Sequence, residues 1–179
     1  MRKISFFCLC IAVGFSVRAQ DSLRTEKLAD IHIQFELPLA WSHAQIKRTK
    51  SESIIYTYTR KLGEKKKEPQ ATLSVFVEHI KPSTSIREYS TKGLQFFQKQ
   101  NGFKIKKTFV DTDGRFSLPY TIGYDAEYID AQGQKHHLYI IHTIEFNHAA
   151  QVLIDFPYKQ YSLYEEEQNQ IMRSLRFEQ

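Results

Sequence analysis

From residue 11 onward this chain contains no cysteine, because its two, Cys8 and Cys10, lie among the first ten positions. A body without thiols has neither a disulfide nor a sulfur nucleophile, so its core alone must hold it together even in an oxidising compartment. Glycine, at 7 of 179 residues, and proline, at 5, are also scarce. The sequence has no Gly-x-Ser-x-Gly elbow, no Gly-x-x-x-x-Gly-Lys and no dinucleotide fingerprint, so the common hydrolase and nucleotide-binding classes lose their usual signatures. Apolar runs are short as well. The longest, Ile4 to Val17, falls below the roughly 20 residues of a membrane span, and no transmembrane anchor is expected beyond it.

That run follows Arg2 and Lys3 and precedes Val17-Arg18-Ala19, the small-x-small pattern of a cleaved leader. We read residues 1–19 as a secretory signal peptide and 20–179 as one domain, with 20–29 as a loose lead-in. The expected location is secreted or periplasmic. A lipid-modified cysteine is not expected, since bulky Phe7 and Leu9 precede Cys8 and Cys10. The formal charge of +5 falls to +2 once Arg2, Lys3 and Arg18 leave with the leader, a weak basic excess that argues against nucleic-acid binding.

What is present is mostly strand. Ile31, Ile33, Phe35 and Leu37 alternate with polar residues until Pro38 removes a backbone donor and ends the pattern. Residues 52–60 and 71–80 are rich in β-branched and aromatic side chains and read as a hairpin with a long charged tip. Ser85 and Glu88 have capping-box spacing, and Ile86, Tyr89, Gly93, Leu94 and Phe97 form the stripe of a helix that Asn101-Gly102 stops. Strands are expected at 103–110, 120–129, 135–146 and 150–156, and a closing helix at 158–173. The strand at 135–146 carries large apolar residues on both faces, which predicts cover on both.

Few residues invite a chemical role. If Asp130 pairs with Gln134, Glu127 stands opposite His137, giving the best candidate polar pair; its plainer reading is a cross-strand contact. Among the seven histidines, His136 and His137 point to opposite faces, and His136 and His142 stand about 20 Å apart at roughly 3.3 Å per residue, so no metal and no cofactor are expected. His142, on a face with Leu138, Ile140 and Ile144, reads as a core histidine. Arg60, Lys61, Lys65, Lys66 and Lys67 concentrate positive charge at the hairpin tip and form a candidate docking loop for an acidic partner or surface, against a plainer role in keeping strand edges apart. Phe35, Pro38 and Trp41, the only tryptophan, read as structural, with Trp41 folding back to close the end of the core.

Phe35-Glu36-Leu37-Pro38-Leu39-Ala40-Trp41, a helix after the hairpin, a meander of long strands and a last helix running into Ser174-Leu175-Arg176-Phe177 together resemble the PsbP-like superfamily. The resemblance spans nearly the whole chain after the leader. It implies an α+β fold, an antiparallel β-sheet flanked by helices in an α/β/α sandwich, as in a photosystem II subunit, a nuclear-import factor that binds a small GTPase, and envelope proteins such as DcrB. Unlike the DcrB type, this chain lacks an acylated cysteine. The family implies no catalytic residues and no enzymatic activity. The expected function is a binding or adaptor module that assists an envelope partner. The alternative is a carrier of small hydrophobic ligands, or a hydrolase, with an aromatic-lined cavity and Glu127 and His137 as its polar pair.

Overall fold

A computed structural model describes residues 22–63, 70–114 and 116–178. The expected leader therefore lies outside the described residues. The elements run β1 (Leu23–Leu28), β2 (Ile33–Pro38), β3 (Gln45–Arg48), β4 (Ile54–Lys61), β5 (Gln70–His79), α1 (Ile86–Phe97), β6 (Lys104–Val110), β7 (Thr121–Ile129), β8 (Lys135–Glu145), β9 (His148–Pro157), α2 (Tyr158–Ser174) and β10 (Arg176–Phe177). Two mostly antiparallel sheets result, one ordered β1-β2-β10 and one ordered β3-β4-β5-β9-β8-β7-β6, and with the two helices they make an α+β fold.

Local chemistry sets the turns. At the β7–β8 hairpin, Asp130 Oδ1 accepts from the backbone N–H groups of Gln132 (2.9 Å) and Gln134 (2.7 Å), and Gly133 takes the left-handed φ of +77° that this tight loop requires. Asp130 and Gln134 are joined through the backbone, so Glu127 opposes His137 and Asp125 opposes Tyr139. At the start of α1 the Ser85 hydroxyl accepts from the Glu88 N–H at 3.2 Å.

Alternation then sorts the large sheet into two faces. One bears Tyr56, Tyr58, Leu73, Val75, Val152, Ile154, Tyr139 and Ile141 and packs with Phe35 and Leu37 of β2 and with Ile171, Met172 and Leu175 at the end of α2. The other carries Leu138 and Ile140 under Leu94 and Phe97 of α1. Strand β8 lies between the two clusters and is buried from His137 to Thr143.

Two stretches depart from the sequence reading. The lead-in is not loose, since Leu23–Leu28 pairs along its whole length with β2. Its inward-facing residues are mostly polar, which hides the strand from a hydrophobic pattern. Arg24 reaches Glu26 at 2.5 Å and the carbonyl of Trp41 at 2.9 Å, and Glu26 accepts from the Tyr58 hydroxyl at 3.3 Å. The second departure is β3, an exposed edge strand of four residues beside β4.

Pro38 is the last residue of β2, after which the chain turns and Trp41 forms an isolated bridge with Arg60. Trp41 is 2% exposed, meets Phe156 edge to face at 6.0 Å and donates its indole N–H to Glu167 of α2 at 2.8 Å. Trp41→Ala should lower the unfolding free energy by about 3–5 kcal/mol, the usual cost of emptying an aromatic core site. Urea denaturation followed by circular dichroism measures it; an unchanged midpoint would refute the assignment.

Candidate functional site

Strands β7 and β8 set Glu127 opposite His137, and each has further close partners. Glu127 accepts from Lys135 at 2.9 Å and lies 3.9 Å from Lys106. Against the cost of burial, those two lysines hold its carboxyl below the usual glutamate range. The His137 ring lies instead 3.4 Å from Asp125 Oδ1, under Tyr161 of α2, which stacks on it with ring centroids 3.6 Å apart. Burial drives His137 down to about 4, in spite of nearby Glu127 and Asp155, so the ring is neutral at pH 7. It is shielded by a stacked tyrosine and offers no face on which a substrate could rest.

The opposite face holds a second buried network. His142 is fully buried; its Nδ1 lies 3.2 Å from the Ser90 hydroxyl of α1 and its Nε2 lies 2.7 Å from the Gln151 amide. Ser90 also meets the Tyr124 hydroxyl at 2.7 Å. Burial alone pushes His142 down to about 4. The fit is close at Gly93, where an added Cβ would come 2.4 Å from His142 Nε2 and 2.8 Å from Gln151 Nε2. Sequence spacing placed Gly93 on the buried stripe; the reason is the histidine beneath it.

Helix α1 covers β7 and β8 and stops short of β5. Beyond its edge a groove of about 630 Å³ opens over β9 and β5, with Phe76, Leu153, Tyr89, Phe96 and Phe97 as its apolar wall. Phe96 is 66% exposed. Lys81, Lys92, Glu78 and Glu88 form the rim, and Lys92 and Glu88 are already paired at 2.7 Å. Glu127 and His137 are not part of this groove, which lies on the other face. The groove escaped the sequence reading because its wall joins α1 to β5 and β9, strands that meet only through non-sequential pairing.

A third cluster joins β7, β8 and β9. His136 lies 2.8 Å from Asp155 and 3.3 Å from Asp130, and Tyr128 donates to Asp155 at 2.6 Å. The hydrogen bond to Asp155 outweighs burial and, with the charges of both carboxylates, raises the affinity of His136 for a proton.

The candidate docking loop needs one correction. Arg60 is only 9% exposed and turns inward, pairing with Glu167 and lying over the Tyr164 ring at 4.8 Å from its centroid. Alternation along β4 puts it on the same face as Tyr56 and Tyr58, so it belongs to the core wall. Lys61 is exposed, and Lys65, Lys66 and Lys67 lie outside the described residues. Phe35 is fully buried against Tyr58, edge to face at 5.7 Å.

No family model matches the chain, and no curated protein does. Solved structures do. The chain is similar to a protein of unknown function from Pseudomonas aeruginosa, PA94, at 13% identity and a TM-score of 0.55, over 88% of this chain and 98% of that one. It is similar to the cyanobacterial PsbP, CyanoP, of Synechocystis sp. PCC 6803 at 12% identity and 0.55, over 96% and 98%. It also matches LpqN, involved in cell envelope biogenesis of Mycobacterium tuberculosis, at 14% identity and 0.49, over 88% and 91%. The chain has a PsbP-like fold; at these identities the likeness concerns the fold alone.

Two outcomes follow from the buried rings. His137 and His142 have folded values near 4, below the unfolded value of about 6.5, so between those limits the unfolded chain binds more protons and stability rises with pH. His136 has the opposite sign: its folded value is raised, so its contribution is full below about 6.5 and is lost as pH climbs through the folded value. Lowering pH from about 6.5 to 4 should cost on the order of 3 kcal/mol for each buried neutral ring. His142→Gln should flatten that slope in urea melts taken across the window. Gly93→Ala, although alanine is the better helix former, should destabilise by about 1–3 kcal/mol, the cost of overpacking, in the same assay.

Proposed function

We propose that this protein is a secreted or periplasmic, non-enzymatic binding module that docks an apolar segment of an envelope protein in the groove between α1 and the β5–β9 surface. The observation that carries this reading is the groove itself, whose apolar wall joins exposed Phe96 of α1 to Phe76 and Leu153 of the sheet beyond the helix. By contrast, the best acid–base pair in the sequence is divided between two lysines and a stacked tyrosine. The leader-like first 19 residues support the location, and they direct the chain out of the cytoplasm. The cover on both faces of the seven-stranded sheet reads as the α/β/α sandwich of the PsbP-like kind.

Charge favours a protein segment over an anionic lipid. Two lysines and two glutamates share the rim, and the Glu88–Lys92 pair neutralises itself, so no cationic collar greets a headgroup. The groove volume also lies in the range of small-ligand sites, so a carrier role is the competing outcome. In this reading Lys61 and the lysines at 65–67 make a second, electrostatic contact, weakened by salt.

Site-specific photo-cross-linking in the native envelope decides among these. A photoreactive residue at position 76 or 96 should trap the same protein, and Phe96→Ser in the presence of the position 76 probe should abolish the adduct. Adducts only from position 66 would move the contact to the hairpin tip. Extraction of a stoichiometric small apolar molecule, with no protein adduct, would replace the module by a carrier.

A further inference from the structure

One end of the large sheet, on the face opposite the groove, brings together histidines that no local spacing relates. His79 closes β5 and His148 opens β9, and the register sets them directly opposite each other. The neighbouring pair is hydrogen-bonded, the N–H of Ile80 donating to the carbonyl of Asn147 at 2.8 Å. Hydrogen-bonded and non-hydrogen-bonded pairs alternate along an antiparallel ladder, so His79 and His148 form the non-hydrogen-bonded kind, in which side chains stand closer. Their ring centroids are 4.3 Å apart.

The surroundings suit a cation. Glu145 of β8 stands opposite His148 on its other side, and His32, in the turn between β1 and β2, lies 3.4 Å from Glu145. An open groove of about 390 Å³ leads to the pair, with Asp30, Glu52 and Glu78 on its wall and Arg48 as the opposing charge. The short turn Phe146-Asn147 fixes where β9 begins and so where His148 projects. Burial, then the neighbouring His79, lowers the proton affinity of the His148 ring below that of an ordinary histidine.

We propose that His79 and His148 form a two-histidine chelate for a late first-row divalent ion, Cu²⁺ or Zn²⁺, at this open end of the β5–β9 pair. Imidazole suits both ions, and each nitrogen would approach to about 2.0–2.1 Å for zinc. Among the described residues no three histidine or acidic side chains already surround one point, so the remaining coordination positions go to solvent or to the exposed His32 turning inward. Such a site exchanges its ion readily, as a sensor or a metal-dependent contact does and a buried structural centre does not. The expectation of no metal rested on His136, His137 and His142, and the spacing behind it did not reach a pair on strands distant in sequence.

Untagged protein, stripped with chelator, should be titrated calorimetrically with Cu²⁺ and with Zn²⁺ alone at about pH 7.5, above the range in which an ordinary imidazole titrates. A single saturable site is expected, with Cu²⁺ bound more tightly than Zn²⁺. His79→Gln and His148→Gln should each weaken binding at least tenfold, about the minimum cost of losing even a supporting partner of a ligand. His136→Gln should leave it unchanged. Binding should fall as pH drops to about 5, where protons compete for the rings. Retained affinity in the double variant, with circular dichroism confirming that it folds, would overturn the proposal. So would the absence of saturable binding of either ion below about 1 mM.

Discussion

The half-buried carboxylate of Glu167 is the constraint on which the rest of the arrangement depends. It accepts the Trp41 indole N–H from the segment leaving the small sheet, and it pairs with Arg60 from β4 of the large sheet. Three elements remote in sequence are thereby held at one point. Their charged groups are only 11% and 12% exposed, so the Coulomb attraction is strong and the desolvation cost large. The remaining surfaces are satisfied by contacts of another kind: Tyr164 lies beneath the Arg60 guanidinium, and Phe156 meets both Tyr164 and Trp41. A buried pair with these supports specifies an orientation more than it adds stability, because another register of α2 would leave an arginine without its carboxylate.

Once that junction is formed, the two faces of the large sheet have different fates. On one, α2 and the small sheet lie over the strands, and Tyr161 stacks on His137. On the other, the cover is the twelve-residue helix α1, which spans β7 and β8 and leaves β9 and β5 to form the floor of a groove. His137 and His142 illustrate the same physics from opposite sides: each is neutral because burial disfavours the imidazolium, and each fills space between a strand and a helix. The surface available for binding is what the shorter helix leaves open.

Much of the fold was legible in the sequence because its long strands alternate and its turns carry their own chemistry. Asp130 and Gly133 define a loop closely enough to give the β7–β8 register residue by residue, and Ser85 with Glu88 marks where α1 begins. Strand β1 was illegible because Arg24 and Glu26 face inward as a satisfied polar pair, a pattern that reads as exposed loop. Arg60 was grouped with the lysines that follow it, although strict alternation with Tyr56 and Tyr58 carried the opposite message. The groove and the His79–His148 pair were beyond reach for one reason. Both depend on β5 lying beside β9, a pairing that skips α1, β6, β7 and β8, and no local spacing encodes it.

That non-sequential pairing also explains why histidines in one sheet have such different surroundings. His142 is in the body of β8, where α1 lies above it and Ser90 and Gln151 take its two nitrogens. His136 is held between Asp155 and Asp130, which favour its protonated form. His79 and His148 occur where β5 ends and β9 begins, on the last rung of the ladder, and the groove beside them is lined by strand and turn residues. A residue on that rung is held by the backbone ladder as a core residue is, yet both histidines line an open groove together with Asp30, Glu52 and Glu78. Rigid placement with open access is what coordination of an exchangeable ligand requires. In this fold the two conditions coincide at the end of the strands and not at the centre of the sheet, where every imidazole already has a partner or a ring stacked against it.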